Sequence, residues 1–340
     1  MSCGLLGAYD KDTGYRYPFM ISDFYAAIVR RRRERYARRP DLRMRLRRPV
    51  ISVGNLAVGG RGKTPIVAAI ARELLAMGER PAILTRGYAR TRSQDGVVVV
   101  RDPDGIRADL PRSGDEPLML ARALPGVSVL VSSDRYLAGR IAEHQFAASV
   151  HILDDGFQHL QLERDVDIVL VGRDDVARPV TFPGGRLREP LDVLVVADAI
   201  LAADDDVVVD AGGSESPVFR TRRVLVTPSA DEPALALAGV ASPSRFFDDL
   251  RALGCRLVRT LAFRDHHPYS VRDLQRIVAE ARSAGARVVL TTEKDYVRLL
   301  PHRPFAMPIE CVPLTMEPDP LPEFRQWLAG SLRAARDIVA

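Results

Sequence analysis

The sequence predicts an α/β protein: a doubly wound, mostly parallel main sheet, a second, smaller α/β lobe, and an N-terminal amphipathic helix. Three observations predict it. Short apolar strand patterns alternate with helical ones along most of the 340 residues. A polar stretch near ADDDVVVDAGGSESP splits that alternation into two series. An apolar stripe at helical spacing precedes an arginine run near the N-terminus. The expected divisions are 1–48 for the basic helix, 49–205 for the main domain, 206–230 for a linker and 231–340 for the C-terminal lobe.

With 46% hydrophobic and 27% charged residues, the composition is that of a globular chain able to bury a sizeable core. Cys3, Cys255 and Cys311 are far apart and show no CxxC spacing, which suggests reduced thiols in a cytosolic protein rather than a disulfide frame or a zinc site. The sequence shows neither a spanning apolar run nor a secretory signal. Charge is uneven: residues 30–48 hold eleven arginines against Glu34 and Asp41, a net of +9 in a chain whose total is +5. Such an arm fits an anionic partner surface, unless it is only a solvated face.

Ile21, Phe24, Tyr25 and Ile28 fall at i, i+3, i+4 and i+7 and lead into RRRRERYARR. A helix of this kind can lie in a membrane interface with its arginines on headgroup phosphates, or pack its stripe on the body. No basic-aromatic module elsewhere supports nucleic acid as the partner.

The stretch VISVGNLAVGGRGKT is strand, glycine-rich turn and helix start. Gly59, Gly60, Arg61 and Gly62 form a candidate phosphate cradle at the helix N-terminus. Lys63 is placed to reach β- and γ-phosphates, and the Thr64 hydroxyl to ligate Mg²⁺. The strict G-x-x-x-x-G-K-[ST] pattern asks for glycine at 57, where this chain has Ala57. A plain glycine turn is the alternative.

PAILTRGY is a second strand. Ala89–Pro111 reads as a charged excursion, and Asp115-Glu116-Pro117 opens a helix. VSVLVSS, a helix from Asp134, SVHIL and VDIVLVG continue the alternation. SVHIL runs into Asp154-Asp155, carboxylates suited to Mg²⁺. Adjacent strand residues face opposite ways, so one of the two is expected at the nucleotide; Asp155 is favoured for the metal and Asp154 for support. In FPGGRLREP, Arg186 and Arg188 are candidates for anionic groups and Glu189 for the metal site, against ordinary surface pairing. In the second series, RLVRTLAF ends at Arg264-Asp265-His266-His267, where His266 reads as a general-base helper and His267 as a structural residue.

Taken together, PVISVGNLAVGGRGKTP, LTRGY, GDEP, Asp134-Arg135, LDDGFQHLQLERDVDIVLV, LREP, LAGVASPSRFF, FRDHHPY and TTEKDYVRL resemble the tetraacyldisaccharide 4′-kinase family of lipid A biosynthesis. The resemblance implies a P-loop fold and transfer of the ATP γ-phosphoryl to the 4′-hydroxyl of a tetraacyldisaccharide 1-phosphate. It places that reaction at the cytoplasmic face of the bacterial inner membrane. It also implies Asp115 as base, tuned by His266, with Glu116 and Arg135 as further active-site groups. A rival reading is a GTPase-type switch or metallochaperone, since Thr292–Asp295 partly matches [NT]-K-x-D; Glu293 stands where lysine stacks on guanine, which favours ATP.

Overall fold

The computed structural model describes residues 17–59, 62–87, 90, 96–204, 207, 216–229 and 231–339. Helix α1 (Tyr17–Arg38) leads to β1 (Val50–Asn55), α2 (Lys63–Ala76) and β2 (Pro81–Thr85). A hairpin of β3 (Val98–Asp102) and β4 (Gly105–Ile106) precedes α3 (Leu110–Ser113) and α4 (Asp115–Ala123). Next come β5 (Ser128–Val131), α5 (Arg135–Phe146), β6 (Val150–Asp154), β7 (Val166–Val171), α6 (Arg173–Ala177), β8 (Ala199–Ala202) and β9 (Val218–Leu225). The second series is β10 (Ala234–Ala238), α7 (Pro243–Ala252), β11 (Leu257–Ala262), α8 (Val271–Ser283), β12 (Val288–Thr292), α9 (Glu293–Leu299) and β13 (Ile309–Val312). It is followed by β14 (Leu314–Asp319) and α10 (Leu321–Val339).

The large sheet has the order β14-β9-β8-β7-β1-β6-β2-β5-β3-β4. From β9 to β5 every pairing is parallel, while β14 and the β3–β4 hairpin add antiparallel edges. Strand alternation feeds two cores. Ile51, Val53, Ile83, Val129, Val131 and Ile152 join the helix α2 side, whereas Val50, Leu84, Leu130 and Leu153 meet Ala138 and Ala142 of α5. Burial on both faces is why these strands read as continuous apolar runs. The small sheet, β11-β10-β12-β13, is wholly parallel and sandwiched in the same way, with Phe246, Phe247 and Leu250 on one side and Ile277 and Ala281 on the other.

Three expectations change. The segment expected as a linker, 206–230, contains β9, a strand of the large sheet whose Phe219 and Thr221 point inward between exposed neighbours. The C-terminal lobe does not keep residues 314–339: β14 pairs with β9, and α10 places Phe324, Leu328 and Leu332 in the main core. The charged excursion before Pro111 includes the β3–β4 edge hairpin. Local alternation identifies a strand but carries no information on which sheet it will join.

Register positions the functional turns. Val53 of β1 lies opposite Asp154 of β6, so the turn after Asn55 and the Asp154-Asp155 pair emerge side by side at the carboxyl ends of neighbouring strands. The return turn after β6 crosses β1 closely: a Cβ on Gly54 would stand 2.5 Å from Cβ of the fully buried Phe157. Replacing Gly54 by alanine is therefore expected to cost about 1–3 kcal/mol, as overpacking of a tight interior does. Urea denaturation checks this; unchanged stability would show that the Phe157 turn yields freely.

Candidate active site

The turn after β1 leads into the N-terminus of α2. Gly62 is the N-cap of α2 in a left-handed conformation (φ 82°) and makes no side-chain cap, leaving the helix dipole open. Only glycine fits there, because a Cβ would lie 2.1 Å from the Met316 sulfur of β14. Gly59 is also at positive φ (110°). Gly60 and Arg61, the other two cradle candidates, lie outside the described residues. Ala57 needs no glycine: its backbone forms an antiparallel bridge with Leu187, flanked by Val58 N–H donating to Arg186 O (2.8 Å). The loop carrying LREP is thus laid against the phosphate turn.

Lys63 Nζ lies 2.9 Å from Asn55 Oδ1 and 3.5 Å from Asp155 Oδ1. Arg188 grips the same groups, donating to both Asp155 oxygens (2.8 and 3.0 Å) and to Asn55 Oδ1. Asn55, buried at the strand end, was not singled out from sequence; an amide one residue beyond a glycine in an apolar strand gives little signal. Two cations on its oxygen fix the amide orientation and leave Nδ2 as a buried donor with no partner among the described residues.

Asp154 and Asp155 differ sharply. Asp154 ends β6 and its carboxylate accepts no hydrogen bond from the described residues; burial, then the like charges of Glu116 and Asp155, push its pKa up to about 7. Asp155 is equally liable to a rise from burial, but the Arg188 hydrogen bond and the Lys63 charge outweigh it and hold the carboxylate below its ordinary range. Strand alternation does not separate the two, because Asp155 has φ 55° and has left the strand; both carboxylates sense Lys63. Arg135, buried at the start of α5, donates to Ser133 O (3.1 Å) and is lowered to about 10 by burial and by Arg86, against the pull of Asp154 and Asp155. Asp134 caps the same helix through Leu137 N–H (3.0 Å).

Glu189, expected to face the metal, is buried with Oε2 against Arg33 of α1 (2.6 Å), while Oε1 has no partner among the described residues. Its pKa is raised by burial, partly offset by that arginine. Arg33 also donates to Phe157 O (3.1 Å) and lies 4.1 Å over the Phe157 ring. Adjacent residues of one loop therefore face two ways, Arg188 to the phosphate turn and Glu189 to the N-terminal helix. Arg186 stays at the rim, its guanidinium on Val58 O (3.2 Å).

The second lobe completes the site. Asp115 is the first residue of α4 and is 5% exposed; its Oδ2 accepts from His266 Nδ1 (3.0 Å) and from Arg298 Nε (2.9 Å) and Nη2. Burial would raise this carboxyl, but the Arg298 and Lys294 charges reverse the effect and its pKa is lowered. His266 sits in a left-handed turn (φ 57°), the kind of conformation retained where surrounding contacts impose it. Lys294 lies 3.1 Å from both Glu116 Oε1 and His266 Nε2. Arg298 and Lys294 were quoted in TTEKDYVRL without a role; only the docking of α9 on α4 gives them one.

Two other sequence readings find their places. His267 pairs with Asp273 (3.2 Å) and packs on Phe263, a structural histidine. Asp295, the residue a guanine-reading motif would offer to a base, is fully buried and bonded to Tyr269 OH (3.0 Å), Gly239 N–H (2.8 Å) and Arg298 (3.2 Å). That leaves the GTPase alternative without its reader.

The family described as Tetraacyldisaccharide-1-P 4'-kinase matches residues 17–333. The tetraacyldisaccharide 4'-kinase of Koribacter versatilis is 41% identical over 309 residues, spanning 87% of this chain and 93% of that protein. The one of Geobacter sulfurreducens is 39% identical over 324 residues, spanning 88% of each. Among solved structures, the "apo" form LpxK from Aquifex aeolicus in complex with ATP superposes with a TM-score of 0.76 at 28% identity, covering 92% of this chain and 98% of that one. A glycine turn on a helix N-terminus, paired aspartates beside it and an Asp–His contact across two lobes thus occur in a chain that belongs to the tetraacyldisaccharide-1-P 4'-kinase family, a family of kinase enzymes.

Proposed function

We propose that Asp115 is the general base in transfer of the ATP γ-phosphoryl to the 4′-hydroxyl of a tetraacyldisaccharide 1-phosphate, and that the P-loop turn holds the triphosphate. The supporting observation is the Asp115–His266 contact across the lobes, with Glu116 next in sequence and close enough to Asp154 to raise its pKa. A sugar hydroxyl is a weak nucleophile at neutral pH, and an ionised carboxylate accepts its proton as the new P–O bond forms. Asp115 meets the requirement of staying ionised. Gly59, Gly62 and the open N-terminus of α2 suit a phosphate chain, and Lys63 supplies positive charge beside it. The ATP named with the Aquifex aeolicus structure agrees with that assignment.

Mg²⁺ fits the same place. Asp154 is a buried carboxylate with like charges near it and no donor on it among the described residues, whereas Asp155 is already engaged by Arg188 and Lys63. On that ground Asp154 joins Thr64, Asp155 and Glu189 as a candidate ligand; Arg33 holds Oε2 of Glu189, and the buried Oε1 has no partner among the described residues. When bound, the ion neutralises phosphate charge and polarises the transferred group.

The N-terminal helix is read as the contact with an anionic bilayer. Arg30, Arg32, Arg33 and Ser22 tie it to the body, while Met20 (74% exposed), Ile21, Phe24 (69%) and Ile28 are left uncovered. An apolar stripe beside arginines matches an interface holding an acylated acceptor. No described helix is long and apolar enough to cross a membrane. A peripheral place on the cytoplasmic face of the inner membrane, where ATP is available, accords with both features.

Incubation with labelled ATP, Mg²⁺ and a detergent-dispersed disaccharide 1-phosphate is expected to move label onto the lipid; label released only as phosphate would refute the acceptor assignment. Asp115→Asn should lower kcat by about 10²–10⁴-fold, the usual worth of a general base. A folded Asp115→Asn enzyme at the wild-type rate would remove Asp115 from that role. For Asp154, a folded-state pKa above the ordinary carboxylate value means that its effect on stability is unfavourable and grows as pH rises from about 4 to about 7. Without Mg²⁺, Asp154→Asn should therefore raise Tm at pH 8 and leave it nearly unchanged at pH 4; equal gains at both pH values would contradict the raised pKa. Replacing Phe24 and Ile28 together by glutamate should reduce co-sedimentation with phosphatidylglycerol vesicles several-fold, and unaltered sedimentation would exclude the stripe as the contact.

A further inference from the structure

Helix α9 carries Lys294 and Arg298 at i and i+4, so both side chains lie on one face. Against that face, α4 begins with Asp115 and Glu116. We propose that Lys294 and Arg298 are positioning residues for the transfer reaction: Arg298 fixes the Asp115 carboxylate with Oδ1 directed to the acceptor hydroxyl, and Lys294 fixes the tautomer of His266. The inference rests on Asp115 being the base.

The two oxygens of Asp115 are unequal. Oδ2 takes Arg298 Nε (2.9 Å), Arg298 Nη2 and His266 Nδ1 (3.0 Å), whereas Oδ1 takes, among the described residues, only the Glu116 backbone N–H (2.9 Å). A carboxylate oxygen with three donors has little capacity left, so Oδ1 is the one able to receive a proton. Arg298 is itself fixed: it is 6% exposed and donates to Gly239 O (2.9 Å) and Asp295 (3.2 Å), and Asp295 is anchored by Tyr269, Gly239 and Thr292. The planar fork gives direction as well as charge, which a lysine in its place would not.

Lys294 settles the histidine. An ammonium has only protons to offer, and Nζ stands 3.1 Å from His266 Nε2, so Nε2 presents its lone pair and the ring proton resides on Nδ1, facing Asp115 Oδ2. Arg298 Nη2, 3.2 Å from the same Nδ1, is a second donor converging on that oxygen. Around this cluster the other charges are Glu116, 3.1 Å from Lys294, and Asp265, 3.8 Å from Lys294 and 3.9 Å from His266 Nε2. Lys294 therefore balances two carboxylates while turning a donor toward Nε2. All three orienting groups belong to the small lobe, so the base is correctly set only when that lobe is docked.

The test compares full-length Asp115→Asn, Arg298→Lys, Lys294→Met and Lys294→Arg enzymes in the detergent assay across pH, with thermal unfolding to confirm folding. Arg298→Lys should lower kcat tenfold or more and leave the acid limb of kcat nearly in place, since the lysine keeps a cation beside the buried carboxylate and loses only the fork that aims it. KM for ATP should stay within about twofold, as for an interaction absent from ground-state binding. Lys294→Met should lower kcat similarly and shift the ¹⁵N resonances of His266 toward the Nε2–H form, with Lys294→Arg recovering part of the rate. Wild-type kcat in folded Arg298→Lys and Lys294→Met, or losses confined to KM, would overturn the proposal while an inactive Asp115→Asn left the base assignment standing. Wild-type activity in Asp115→Asn would instead overturn the base assignment beneath it. Should Arg298→Lys fail to fold, Lys294→Met carries the decision, because Lys294 is more exposed and bonds only side chains.

Discussion

A carboxylate removed from water between two lobes is the constraint around which the molecule is arranged. Burying Asp115 without compensation would drive it to its neutral form, since desolvation of a charge outweighs most single contacts. Arg298 and Lys294 reverse that outcome, and both come from the other side of the junction. The chemistry of the base and the docking of the lobes are thus one electrostatic fact. The same junction explains the depth of Asp295, which serves Arg298 rather than a ligand.

A second chain of contacts runs from the N-terminal helix to the phosphate turn. Arg33 meets Glu189; its neighbour Arg188 meets Asp155 and Asn55; both of these lie beside Lys63. Because Arg188 and Glu189 are consecutive, the two sets of contacts are joined by a single peptide. The bridge at Ala57–Leu187 stiffens this link, and it accounts for alanine where the motif asks for glycine: the backbone there is paired and extended.

Much of the site was legible because short-range geometry carries it. A strand ending in a glycine turn before Lys63-Thr64 can form a phosphate cradle whatever surrounds it, and an apolar strand ending in Asp154-Asp155 presents acid at a sheet edge. The Arg33 partner of Glu189 was not legible, because a carboxylate in a loop has no periodicity to reveal its direction. The Asp154-Asp155 preference rested on strand alternation, which fails where Asp155 turns to positive φ. Strand β9 was read as linker because its exposed Arg220 and Arg222 dilute the apolar signal of Phe219.

The sequence alone determined the alternating α/β architecture, the phosphate turn, the acidic pair and the apolar stripe of α1, since each depends on residues within a few positions of one another. Tertiary structure decided the rest: which sheet receives β9 and β14, which cation holds each carboxylate, and that Lys294 and Arg298 converge on Asp115, Glu116 and His266. Those partners are separated by 151 to 183 positions for the contacts made by Asp115. Pairings at that range are set by how packed layers bring their ends together, and no local pattern of residues encodes them.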